Sequence, residues 1–170
     1  MIPDELVPKK PPASELSIAS KLIAQLELAC DEGDMAPAAL QELRSLTGKS
    51  SLSVEQFHEI SGAMSYEDAA LLAYCPDAVS IPNLTQPQFV WICEKMREND
   101  LNGQFNYWFE LFCINARNSQ AGDLLFYPPQ EWLDRLIQNN EVPPETTRET
   151  FMPSAQQLAR EAWKSDAIAL

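Results

Sequence analysis

Thirteen prolines cut this 170-residue chain into short pieces. Between them, apolar residues recur three or four positions apart, the spacing of one helical face. No segment alternates apolar and polar residues as a half-buried strand would. These two features together predict an all-α protein, a helical bundle of short helices with stiff connections. With 45% hydrophobic residues and 9% aromatic ones, the chain can bury a real core and is not of disordered composition.

Residues 14–32 carry Ile18, Leu22, Ile23, Leu26 and Cys30 along one predicted helical face. In "MAPAALQELRSLTG", Pro37 suits a first turn, Leu40, Leu43 and Leu46 share a face, and Gly48 fits the stop. Further helix starts are at Ser53 and at Ser65, the second with Glu67 and Asp68 in its first turn. A fifth helix begins at Thr85 with Phe89, Ile92, Cys93 and Met96 as its stripe. The sixth runs from about Gln104 to Asn118, with Phe105, Trp108, Phe109, Leu111 and Phe112 giving a wide apolar face. Phe105, Trp108, Phe112, Ile92 and Met96 are expected in one buried cluster. A seventh helix covers about Gln130 to Gln138, and the last starts at Ser154 and carries Leu158, Ala162 and Trp163.

"SLSVEQFHEI" at 51–60 and "NLTQPQFVWI" at 83–92 look like a repeat. Both are helix starts: a hydroxyl residue caps the N3 amide and the N3 glutamine reaches back. That physics accounts for the whole similarity, and nothing after the two stretches continues to match.

The formal net charge is −13. Residues 1–80 carry 13 acidic and 5 basic side chains, and residues 81–170 carry 12 and 7. Such a chain is repelled by phosphate backbones, so no nucleic acid is expected as a direct partner. A basic protein would be attracted and its encounter accelerated. No apolar run is long enough to span a bilayer, and "MIPDELVPKKPP" lacks the apolar core of a secretory signal. The four cysteines are widely spaced without a C-x-x-C pair, which suits free thiols in a cytoplasmic protein.

Catalytic and metal-ligating patterns are sparse. His58 is the sole histidine, so a Ser–His or Cys–His nucleophilic site would have to use it. The cysteines lack zinc-ligand spacing, no phosphate-binding loop follows a strand, and "DEGD" at 31–34 lacks the calcium-loop pattern. Neither metal nor cofactor is expected, and no enzymatic activity.

The stretch "GDLLFYPP", Gly122 to Pro129, is the most informative. Asp123 opens a short turn of helix at its positive end, and Pro128 and Pro129 stop it. One turn cannot bury Leu124, Leu125, Phe126 and Tyr127 in a single direction. Either all the aromatics are core, or the leucines anchor the turn and leave Phe126 or Tyr127 at the surface beside Asp123. The second arrangement has the composition of a binding hot spot.

Residues 81–170 resemble the small immunity proteins of nuclease colicins and pyocins. The elements that carry the resemblance are a capped first helix "NLTQPQFVWICEKMREN", a second helix "NGQFNYWFELFCINARN", the string "AGDLLFYP" and a final Trp-bearing helix "PSAQQLAREAWK". The resemblance implies an immunity-protein-like four-helix C-terminal part with an insertion at 130–152. It leaves residues 14–80 as a helical N-terminal extension and 1–13 as an extended N-terminal arm, the whole forming one compact unit. It implies cytoplasmic inhibition of a cognate basic nuclease, either a bacteriocin or a toxin delivered by contact or secretion systems. Attachment would be beside the toxin's active site. Asp123, Phe126 and Tyr127 would be the anchor, and Glu110 and Asn106 on the second helix would tune specificity. This chain departs from the family in its length, in the insertion and in having Phe126 where a tyrosine is usual. The alternatives are a helical scaffold or regulatory adaptor in which 122–129 is core, and a hydrolase built on His58.

Overall fold

The computed structural model describes residues 2–33, 36–98 and 103–164. Among these residues all regular structure is helical and none is in a strand. Asp34 of "DEGD" and residues 99–102 lie outside them. The α-helices are α1 (Ala13–Glu32), α2 (Pro37–Thr47), α3 (Ile60–Ala63), α4 (Tyr66–Ala73), α5 (Gln86–Glu98), α6 (Gln104–Asn115), α7 (Ala121–Phe126), α8 (Gln130–Gln138) and α9 (Ala155–Ala162). Contacts divide the chain into two compact units. An N-terminal unit comprises Ile2–Ala78 with residues 103–107, and a C-terminal unit comprises Val79–Glu98 with residues from 108 onward.

In the N-terminal unit, α1 packs against α2 and α4. Leu22, Ile23 and Leu26 face this core with Ala19, whereas Ile18 is exposed. Cys30 packs against the same core, so of the expected stripe only Ile18 falls outside it. Pro37 opens α2, and Gly48 ends it at φ 71°, a left-handed conformation that costs glycine no Cβ clash. Ser53 and Gln56 form the expected capping box, but it starts only a four-residue 3₁₀ turn at Val54–Phe57. The same signal at Thr85, whose amide donates to Gln88 Oε1, starts the 13-residue α5.

The N-terminal arm is less extended than expected. Asp4–Leu6 form a 3₁₀ turn, and Ile2 and Pro11 are buried. The Tyr107 hydroxyl donates to the Leu6 carbonyl at 2.6 Å. These contacts satisfy a backbone acceptor that a free arm would leave to water.

In the C-terminal unit α5 packs against α9 and α7 packs against α9. Its core is aromatic: Phe89 stacks on Phe112 at 5.4 Å and meets Trp163 at 5.0 Å, and Trp91 meets Trp108 edge-on at 5.6 Å. Ile92, Met96, Trp108 and Phe112 are buried as expected. Phe105 is half-buried and groups with the N-terminal unit instead. Within 130–152, α8 buries Trp132, Leu133 and Leu136, and Trp132 meets Phe151 edge-on at 5.3 Å. No helix among the described residues is long and apolar enough to cross a membrane.

Candidate protein-docking surface

Helix α7 is a single, short element set on α6 by its smallest residue. A Cβ at Gly122 would lie 3.4 Å from both Cys113 Sγ and Phe109 Cζ, so α7 approaches α6 with little room between them. Leu124 is buried and Leu125 half-buried, which fixes the inner side of the turn. The Tyr127 amide donates to the Asp123 carbonyl at 2.6 Å and closes it. Buried Pro128 and the Pro129 start of α8 hold the exit.

With the leucines inside, the next two residues turn outward. Phe126 is 56% exposed and Tyr127 is 68% exposed, and Asp123 is exposed beside them. Phe126 rests one edge against Phe109 of α6, with ring centroids 5.5 Å apart. This leaves Tyr127 as the freer ring. Glu110 is exposed on α6. Burial pushes the Cys113 thiol up from its ordinary pKa, and the carboxylates of Asp123 and Glu110 push it further. Four of the five expected partner-binding residues, Asp123, Phe126, Tyr127 and Glu110, are in the C-terminal unit; Asn106, also exposed, belongs to the N-terminal unit.

The exposed ring pair combines a rigid mount with uncovered apolar area, which favours association over solvation. A carboxylate at its edge can accept charge-assisted hydrogen bonds from a basic partner. His58, by contrast, is exposed and makes no hydrogen bond to a serine or cysteine among the described residues. The buried thiols of Cys75 and Cys93 are pushed up to about 12 by burial, so they stay protonated and unreactive at neutral pH.

Sequence reasoning missed one polar centre. Glu27 is buried in the N-terminal unit, where it accepts from the Tyr66 hydroxyl at 2.7 Å, the Ser61 amide at 2.8 Å and the Ser61 hydroxyl at 3.0 Å. The signal was present: Glu27 comes four residues after Ile23 and so shares the apolar face of α1. No family model, curated protein or solved structure matches this chain.

Proposed function

We propose that this protein is a cytoplasmic immunity protein, which binds and inhibits a basic nuclease domain of a bacteriocin or of a toxin delivered by contact or secretion systems. The observation that supports this most is the exposure of Phe126 and Tyr127 beside Asp123 on a turn whose leucines are anchored inside. A scaffold that used 122–129 as core would bury those rings. Tyr127 supplies a large ring at low entropic cost and a hydroxyl that can bond across the interface. Phe126 supplies packing, and Asp123 accepts from a Lys, an Arg or backbone amides of the toxin. Glu110 adjusts which toxin fits. The net charge of −13 draws in the basic nuclease and repels DNA from the blocked site, with no chemistry performed by the inhibitor.

The test is binding and inhibition of the basic nuclease domain encoded beside this protein's gene. Full-length protein is expected to abolish its DNA cleavage. Tyr127→Ala is expected to weaken the complex by at least about 2 kcal/mol, mostly through faster dissociation. A folded Tyr127→Ala variant that inhibits as well as the parent would sink this docking surface. Failure to bind any such nuclease would sink the immunity role.

A further inference from the structure

The rings of α7 are too few to hold a partner alone. A stable interface takes about 800 Å² from each side, spread over roughly 20–30 residues. The docking surface must therefore continue beyond α7. Towards α8 the next exposed residues are Gln130, Glu131, Asp134 and Arg135, all polar, and Arg135 is already paired with Glu161 at 2.7 Å. Charged groups of this kind are depleted in interface centres. The C-terminal unit also exposes two aliphatic side chains that lie outside α7, Ile114 at 42% and Val79 at 44%. Both are tied to α6.

Phe109 and Cys113 are the α6 residues that face α7, against Phe126 and Gly122. An α-helix turns by about 100° per residue. Glu110 and Ile114, each one position later, therefore stand next round the helix from that contact, and Asn115 stands beyond Ile114. The Asn115 side chain grips the segment that leads into α5. Its amide nitrogen donates to the Val79 carbonyl at 2.9 Å, and its oxygen accepts from the Ile81 amide at 2.7 Å. The same nitrogen donates to the Leu111 carbonyl at 2.9 Å, which holds the side chain against its own helix. Going round α6 from α7, the order is thus Glu110, Ile114 and then the Val79 segment. Glu110 and Ile114 form a floor between the rings on one bank and Val79 on the other. Neither Glu110 nor Asp123 forms an ion pair among the described residues.

Given the inhibitor role of the α7 surface, we propose that the toxin also covers this outward face of α6, with Ile114 and Val79 as further specificity-determining contacts. The strip is apolar at both ends and acidic between them. It fits a toxin segment with one apolar side chain set over Ile114 and Val79 and a Lys or Arg directed to Glu110. Asn115 is a positioning residue, since it holds Val79 where that segment must pass.

The experiment measures the Kd of full-length variants for the basic nuclease domain encoded beside this protein's gene, with Tm as a check on folding. Ile114→Lys, which sets a positive charge against a basic partner, is expected to weaken binding by about tenfold or more. The double variant Val79→Ala/Ile114→Ala is expected to keep its Tm and lose at least about fivefold. Gln138→Lys adds the same charge at an exposed position at the end of α8 and is expected to stay within about twofold of the parent. In the parent complex, hydrogen exchange of the amides at 78–80 is expected to slow, a readout that needs no variant. If Tyr127→Ala binds weakly while both α6 variants bind as the parent does, the extension is wrong and the inhibitor role stands. An equal loss in Gln138→Lys would make the effect one of bulk charge and overturn the extension, as would unchanged exchange at 78–80. If the parent binds no such nuclease, the extension falls together with the inhibitor role.

Discussion

The two units solve the same packing problem with different materials. The N-terminal unit is filled mainly by aliphatic side chains and alanines, among them Ala19, Ala69, Ala70 and Ala73, with the rings of Phe57 and Tyr107, and among the described residues it buries one carboxylate, Glu27. Its loops are stitched by long polar side chains: the Arg44 guanidinium donates twice to the Leu52 carbonyl, at 2.9 and 2.5 Å, and Lys49 donates to that of Cys75. The C-terminal unit is filled by rings and holds all four tryptophans. Small residues pack between α1 and α4. Rings fill space by area, so the C-terminal unit is held by dispersion and burial. Tyr127 is left outside this ring-rich core, and Phe126 touches it only through one edge against Phe109.

Phe112→Ala offers the hardest blow to that contrast. Removing a fully buried ring between Phe89 and Phe109 is expected to cost about 3–5 kcal/mol. Tryptophan fluorescence in denaturant measures it, because every tryptophan reports the C-terminal unit. A loss below about 1 kcal/mol would mean that the rings are loosely packed.

Gly103→Ala is the counterpart in the N-terminal unit. The new Cβ would lie 1.9 Å from the backbone carbonyl oxygen of Asp68, whose side chain also accepts from the Gly103 amide at 3.1 Å. Backbone must move, and a cost of about 1–3 kcal/mol is expected. Faster amide exchange around Asp68 would register it, and unchanged exchange would show that the approach is not tight.

Among the described residues, Glu27 gives the N-terminal unit's core a pH signature of its own. The Tyr66 hydroxyl first, and then the Ser61 amide, hold its carboxyl below the ordinary value of 4.5, despite the opposing effect of burial. The unfolded chain therefore takes up the proton more readily than the folded one. The stabilisation is complete above the unfolded value and is lost as pH falls through the lower, folded value. Acid titration of stability is expected to be shallower in Glu27→Gln than in the parent below about pH 4.5. Equal slopes would mean that the carboxylate is not what joins α1 to Ser61 and Tyr66.

The smallest effect is expected from Tyr127→Ala on stability: within about 0.5 kcal/mol, as for a surface position. Thermal denaturation checks this. A loss comparable to that of Phe112→Ala would return the ring to the core and remove the docking surface.

Helix existence was legible because it is local. Pro37, Gly48, Ser65 and Ser154 each stand at the helix ends that capping chemistry assigns them. A cap is a contact between residues three apart, and no distant element is needed to form it. Helix length beyond a cap was not legible, since equal signals at Ser53 and Thr85 open four residues and thirteen. The fate of the N-terminal stretch was misjudged for the same reason: Leu6 is held by Tyr107, a partner 101 residues away.

Local chemistry alone sets an all-helical chain, the positions of its caps, its acidity, and the placing of Asp123 before four large apolar residues. Which of those four lie inside is a matter of tertiary packing. A long helix declares its buried face by repeating it every three to four residues. The six residues of α7 repeat nothing, so their orientation comes from outside the segment. Gly122 against Phe109 and Cys113, with Leu124 buried, turns Phe126 and Tyr127 to solvent. Ile18 teaches the same lesson on α1, where the core formed with α2 and α4 takes Ala19, Leu22, Ile23 and Leu26 and leaves Ile18 exposed.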